Sequence, residues 1–248
     1  LPRRIACCAA EQSTDAEYTT MAMQPPASLI DGYLSFRERR LPGEQSRFTQ
    51  LAETGQSPSV MIVGCCDSRV SPEVIFDARP GEMFVVRNVA NIVPPYQPDG
   101  GLHGTSAALE YGVIALKVEH IVVLGHGGCG GIAAYVDAGR KPLSPGDFVG
   151  AWIAQLDGAA SLVPECDREL PEDFARSLEI ANLRASVAAL RTHPCIGTLE
   201  KRGRLQLHAA HFAIRTGVLR WLDQESGQLR PVDGDRRVNA VPLRCAPG

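Results

Sequence analysis

At 248 residues the chain has room for one large domain or two small ones, and a domain of that size buries about three-quarters of its unfolded surface, so disulfides are not needed to hold it. Its 25 basic and 28 acidic residues leave a formal charge of −3, which with 44% hydrophobic residues excludes a disordered chain and a generally basic nucleic-acid binder. No apolar run nears the roughly 18 residues of a membrane span, and the eight cysteines are too few for a disulfide scaffold yet more than packing requires.

Residues 1–26 mix Pro2, Cys7-Cys8, a polar run and Pro25-Pro26 without sustained periodicity, and are expected to be disordered or loosely attached. They lack the apolar core of a secretory signal, and Glu11, Asp15 and Glu17 argue against an organelle-targeting peptide; the expectation is a cytoplasmic protein whose single domain runs over 27–248. Leu29, Tyr33, Leu34, Phe36 and Leu41 then predict an amphipathic helix, and Glu44 to Glu53 a second one that ends at Gly55.

Val60-Met61-Ile62-Val63-Gly64 is a continuous apolar run of the kind buried on both faces of a parallel sheet, and it leads straight into Cys65-Cys66-Asp67-Ser68-Arg69. A short helix from Pro72 to Phe76 precedes a second strand, Met83 to Val86, which ends at Arg87-Asn88. Leu102 to Lys117 reads as a helix, and Ile121 to Leu124 as a third strand ending at Gly125-His126-Gly127-Gly128-Cys129. The alternation predicts an α/β fold, a mainly parallel central sheet flanked by helices. Ligands of such sheets gather beyond the carboxyl ends of the strands, where both cysteine-bearing segments fall.

Further along, Asp147 to Leu162 is one candidate helix and Pro171 to Thr192 another, with Pro171 at its first position and two acids in its first turn. The second carries two apolar stripes, one through Phe174, Leu178, Ala181, Ala185 and Ala188 and one through Ile180, Leu183, Val187 and Leu190, and is expected to be buried on both sides. Leu205 to Ile214 and Val218 to Asp223 predict a C-terminal antiparallel hairpin that extends the sheet.

Cys65, His126 and Cys129 offer two thiolates and an imidazole, the donors zinc prefers, and three protein ligands leave one position open. The competing reading is a pair of buried structural cysteines beside a core histidine. Asp67 shifts the balance: two residues beyond Cys65 it reaches the open position, and Arg69 can hold its carboxylate in a bidentate pair, ionised and off the metal.

Cys65-x-Asp67-Ser68-Arg69 followed by His126-x-x-Cys129 resembles the zinc signature of the β-class carbonic anhydrases. The resemblance continues through Arg87-Asn88-Val89-Ala90-Asn91, Glu110-Tyr111 and Glu119-His120-Ile121, is close from Gln56 to Ile132, and is looser beyond. It implies one zinc ion per chain and the reversible hydration of carbon dioxide to bicarbonate and a proton by attack of hydroxide on zinc, with Asp67, oriented by Arg69, accepting the hydroxide's hydrogen. It further implies that Gln56 donates to a bicarbonate oxygen and that Tyr96, Tyr111 and Gly130 belong to the substrate pocket, some of it contributed across a dimer. Asp67 is also a possible fourth metal ligand in a closed state.

Some members of that family bind bicarbonate at a second site built on a Trp three residues before the first ligand Cys, which switches the Asp onto zinc. Here that position is Ile62, and the Asn91 to Tyr96 stretch looks like the plant-type branch, so an open resting site is expected. The chain departs from the usual pattern at Cys66, where the family usually shows Ser.

Gly125-x-Gly127-x-x-Gly130 also fits a dinucleotide-binding turn, but no apolar strand ending in an acid follows at the required distance. Two alternatives stay open: a related hydrolase of carbonyl sulfide or carbon disulfide using the same zinc, Asp and Arg, and a zinc-stapled, non-catalytic interaction protein. No nucleic-acid or membrane partner is expected; the two-sided helix, the N-terminal helical arm and the hairpin edge predict a homodimer or a higher even-numbered homo-oligomer. His103, His120, His208 and His211 are proton-shuttle candidates by type only, and Cys166, Cys195 and Cys245 read as ordinary reduced thiols.

Overall fold

The computed structural model describes residues 24–232; the expected disorder of the first residues, together with Cys7, Cys8 and Cys245, falls outside them. The chain forms two compact units, one ending at Glu53 and the other beginning at Thr54. The first holds α1 (Ala27–Ser35), a π-helical turn (Phe36–Arg40) and most of α2 (Leu41–Thr54). Where the sequence predicted two separate helices, the run is unbroken. Pro42 sits in the first turn of α2, directly after the π turn in which the Leu41 N–H bonds to the Phe36 carbonyl. A π turn skips one ladder position, so a residue without an N–H is accommodated there instead of ending the helix. The Phe36 and Phe48 rings meet edge to face, 6.1 Å apart.

The second unit is a six-stranded sheet of β1 (Val60–Cys65), β2 (Met83–Asn88), β3 (His120–His126), β4 (Gln206–Ala213), β5 (Val218–Leu222) and β6 (Leu229–Pro231), ordered β2-β1-β3-β4-β5-β6. The first four strands are parallel; β5 and β6 extend the sheet antiparallel, as the C-terminal hairpin predicts. The expected α/β class is what the chain adopts. The third strand of the hairpin region, β6, gave too short a run to be read from sequence.

Between the strands lie α3 (Pro72–Ile75), α4 (Gly104–Glu110) continued by a π turn (Tyr111–Ala115), α5 (Gly130–Val136), α6 (Phe148–Ile153), α7 (Asp157–Ala160), α8 (Pro171–Thr192) and α9 (Pro194–Lys201). The single helix expected over 147–162 is broken instead. Asp147 stands at a left-handed φ of 37° and caps the Gly150 N–H while pairing with Arg140, and a 3-10 turn separates α6 from α7. The glycines at 150 and 158 weaken a continuous helix there.

Period-two alternation splits the strand side chains between the faces of the sheet. Met61, Val63, Ile121, Val123 and Leu207 pack with Leu109, Val113, Leu183, Val187, Leu190 and Ile196, whereas Ile62, Val122, Leu124 and Ala210 pack with Phe212 and Trp221 on the other face. Helix α8 uses both apolar stripes: Leu183, Val187 and Leu190 face the sheet, and Leu178 and Ala181 join a separate cluster with Cys65, Ala90, Cys129, Ile132 and Leu156. That cluster lies beyond the carboxyl ends of β1 and β3, so one long helix braces the hydrophobic core and the segment carrying the cysteines. Leu183→Ala opens a cavity where these layers meet and is expected to cost about 2–5 kcal/mol in urea unfolding.

Candidate metal centre

Strands β1 and β3 are adjacent and parallel, with Val60 opposite His120 and Gly64 opposite Leu124. Since β2 lies on one side of β1 and β3 on the other, the chain reverses its direction of travel across the sheet here, the place where open α/β sheets bind ligands. Cys65 ends β1 and His126 ends β3; both are buried. Gly128, at φ +67°, turns the chain through the left-handed region and sets Cys129 at the start of α5. The ligand atoms of Cys65, His126 and Cys129 lie within 4.8 Å of one another, and the two sulfurs 3.9 Å apart. Cys66, the first residue past the end of β1, is exposed.

His126 Nδ1 donates to the Gly127 carbonyl at 3.1 Å. The lone pair therefore falls on Nε2, which is buried and has no hydrogen-bond partner. A buried polar atom left so costs about 1–3 kcal/mol, and an imidazole held through one nitrogen with the other bare is the form in which histidine binds a metal. Backbone donors favour the anionic form of each sulfur: N–H groups of Asp67 and Ala90 point at Cys65, and those of Gly131 and Ile132 at Cys129. Either thiol can donate to the other; with the proton on Cys129, Cys65 is lowered to about 4 and Cys129 is raised. A proton shared by two thiols this close is what a divalent cation displaces. Burial opposes the charged form of His126, but the Cys65 sulfur beside it outweighs burial and the net shift is upward.

Asp67 Oδ2 lies 3.9 Å from His126 Nε2. Arg69 holds the carboxylate with both arms, Nε to Oδ1 at 2.9 Å and Nη2 to Oδ2 at 2.6 Å, and its own N–H adds a third bond to Oδ1 at 3.0 Å. The Arg69 side chain is foremost in holding the Asp67 carboxyl well below the usual carboxylate range. Arg87 fixes the turn from beneath, donating to the carbonyls of Cys65 and Asp67, each at 2.7 Å.

Two partners were not legible as such in the sequence. Glu179, a buried acid in the apolar α8, accepts from the N–H of Gly128 at 2.8 Å and of Cys129 at 3.3 Å, and its other oxygen faces His211 Nε2 at 3.2 Å. The signal available was a carboxylate between two apolar stripes, which a helix buried on both sides tolerates only with partners. The second is the loop after β2, where Ala90 and Asn91 both adopt positive φ, 63° and 46°. Asn182 Nδ2 holds the Ala90 carbonyl and Trp152 Nε1 the Val89 carbonyl, each at 2.8 Å. Such strain persists where surrounding structure over-determines it, and here it aims the Ala90 N–H at the Cys65 sulfur. Gly131 packs against this loop so closely that a Cβ would come 2.6 Å from Val89 Cγ1.

Other predicted site residues lie apart. Gln56 is exposed between α2 and β1; the half-exposed Tyr96 ring rests edge-on against His193, and the half-exposed Tyr111 ring lies 5.8 Å from Phe84. Among the described residues none of the three has a hydrogen bond or ring contact to Cys65, His126 or Cys129. Gly130 is exposed at the start of α5. Cys66 and Cys195 are free, but Cys166, expected to be reduced, is disulfide-bonded.

Comparison with known proteins agrees with this geometry. The carbonic anhydrase family model matches residues 60–219. A carbonic anhydrase of Pseudomonas aeruginosa is 37% identical over 215 residues, 86% of this chain and 94% of the relative; carbonic anhydrase 1 of Escherichia coli O157:H7 is 37% identical over 218, 87% and 96% of the two chains. The solved β-carbonic anhydrase CcaA superposes with a TM-score of 0.76 at 30% identity, covering 87% of this chain and 94% of its own. A tetrameric β-carbonic anhydrase of Sordaria macrospora gives 0.68 at 29% identity, covering 79% and 95%. The chain belongs to the β-carbonic anhydrases, the zinc enzymes that interconvert carbon dioxide and bicarbonate.

Glu179→Gln, which keeps the shape of the side chain but not its charge, is expected to lower stability by about 1–3 kcal/mol in urea unfolding. It also weakens metal retention about 10–100-fold in competition with a chelating dye.

Proposed function

We propose that residues 27–248 act as one catalytic domain in which Cys65, His126 and Cys129 hold one zinc ion, and that its reaction is the reversible hydration of carbon dioxide. The observation that carries the reading is the buried, unpartnered His126 Nε2 among two thiols, with the Asp67 carboxylate 3.9 Å away and locked by Arg69. Two thiolates and an imidazole match the donor preference of zinc. When bound, zinc supplies the Lewis acidity that makes water a nucleophile near neutral pH.

The remaining work falls to this chain's own side chains. Asp67, held ionised by Arg69, accepts a hydrogen from the attacking water and so aims its lone pair at the carbon. Both carboxylate oxygens are engaged by N–H donors, which favours a resting state with Asp67 off the metal. Ile62 at the position of the regulatory Trp and the plant-type-like Asn91 to Tyr96 stretch support the same open state. Gln56 donates its amide hydrogen to a bicarbonate oxygen, Tyr96 and Tyr111 supply pocket walls, and Gly130 leaves room at the start of α5.

Because Gln56, Tyr96 and Tyr111 are exposed and have no contact to the three ligands within one chain, we propose that a second copy completes the pocket, giving a homodimer or a higher even-numbered assembly. The tetrameric relatives support this, as do the exposed Leu29, Ile30, Tyr33 and Leu34 on α1. No helix among the described residues is long and apolar enough to cross a membrane, which is compatible with a cytoplasmic enzyme.

Asp67→Asn keeps the shape and loses the acceptor. Stopped-flow carbon dioxide hydration is expected to fall about 10²–10⁴-fold in kcat/KM with the zinc content unchanged; a minor change would remove the role given to Asp67. Size-exclusion chromatography with light scattering is expected to show an even multiple of the 26.7 kDa chain, and a monomer with full activity would refute the shared pocket.

A further inference from the structure

Behind the Gly127-Gly128 turn, on the side formed by α8, β4 and β5, lies a half-open cavity of about 870 Å³. Its size falls within the range of small-molecule sites. It is lined by five arginines, Arg69, Arg176, Arg184, Arg215 and Arg220, with His211 and the apolar Ile180, Ile214 and Leu229.

Three acids share the wall, and each is already engaged. Asp173 is ion-paired with Arg176, Glu179 is taken up by two backbone N–H groups and His211, and Asp167 accepts the Ser177 hydroxyl at 2.6 Å. The arginines are less fully matched. Arg184 reaches the Gly227 carbonyl, but its Nε is buried without a partner. Among the described residues Arg215 and Arg220 have no side-chain partner. The cavity therefore carries uncompensated guanidinium charge against apolar walls, where the field of a charge is concentrated.

Guanidinium forks match phosphate oxygens bidentately. His211 adds a second requirement. Its Nε2 donates to the Glu179 carboxylate, and its Nδ1 is buried without a partner in the protein, an acceptor in the neutral imidazole. An acceptor beside cations calls for a ligand that also bears a hydroxyl donor. From these groups we propose a second ligand site, adjoining the metal centre across the Gly127-Gly128 turn and Arg69, that takes a phosphate monoester of a small polyhydroxylated molecule, the phosphate on Arg184, Arg215 and Arg220 and a hydroxyl on His211 Nδ1.

Ribose 5-phosphate and inorganic phosphate are the probes, titrated calorimetrically into the zinc-loaded enzyme at constant ionic strength. The site predicts saturable binding of ribose 5-phosphate at one per chain, tighter than inorganic phosphate. It also predicts at least tenfold weakening in Arg215→Ala/Arg220→Ala with carbon dioxide hydration retained. Arg215→Glu, at an exposed turn, serves as the second variant if the double one does not fold, with the same weakening expected. Absence of saturable binding, equal affinity for inorganic phosphate, or binding that neither variant changes overturns the proposal. Because each of these overturning results is read from phosphate binding and not from hydration, failure here is distinguishable from failure of the hydratase assignment.

Discussion

Two cysteine thiols and the bare nitrogen of an imidazole are buried within 4.8 Å of one another, and the surrounding architecture is organised around that constraint. Such groups are costly in an apolar interior unless each receives donors suited to its anionic or metal-bound form. The backbone supplies them. Four N–H groups point at the sulfurs, from the turn after β1, the strained loop after β2 and the first turn of α5. Those three segments are in turn pinned by side chains from elsewhere: Arg87 on the carbonyls of 65 and 67, Asn182 and Trp152 on the strained loop, and Glu179 on the glycine turn. Two of these pins, Asn182 and Glu179, come from α8, which explains why one helix carries both the core stripe and buried polar residues.

The same arrangement separates two roles that carboxylates could have confused. Asp67 is the acid that reaches the metal position, and Arg69 keeps it charged and directed. Glu179 stands behind the loop, its oxygens turned to backbone N–H groups and to His211 instead of to the ligands. One acid thus faces the chemistry and the other holds the geometry, a division set by which side of the Gly127-Gly128 turn each occupies.

Much of this was legible in the sequence. The apolar runs of β1 and β3 are continuous because both faces of each strand are covered, and each ends in its ligand motif; that fixed both the sheet and the place of Cys65, His126 and Cys129. What was missed has physical causes. A π turn allowed a helix to run through Pro42, an effect that period counting does not register. Asp147 in a left-handed cap broke a helix whose apolar spacing looked continuous. Glu179 was hidden because its partners are two backbone N–H groups and a histidine on a distant strand, none of which marks the pattern of its own helix. Gln56, Tyr96 and Tyr111 came from resemblance alone, and their exposure in one chain is why a second copy enters the account.

The account stands on two sulfurs and one imidazole nitrogen sharing a metal. Zinc K-edge X-ray absorption on the purified protein addresses this without any assay of activity. It predicts stoichiometric zinc with two sulfur neighbours at about 2.3 Å and nitrogen or oxygen neighbours at about 2.0–2.1 Å, and Cys65→Ser removes one sulfur from that shell. A shell without sulfur, or a sulfur count unchanged in Cys65→Ser, would contradict it.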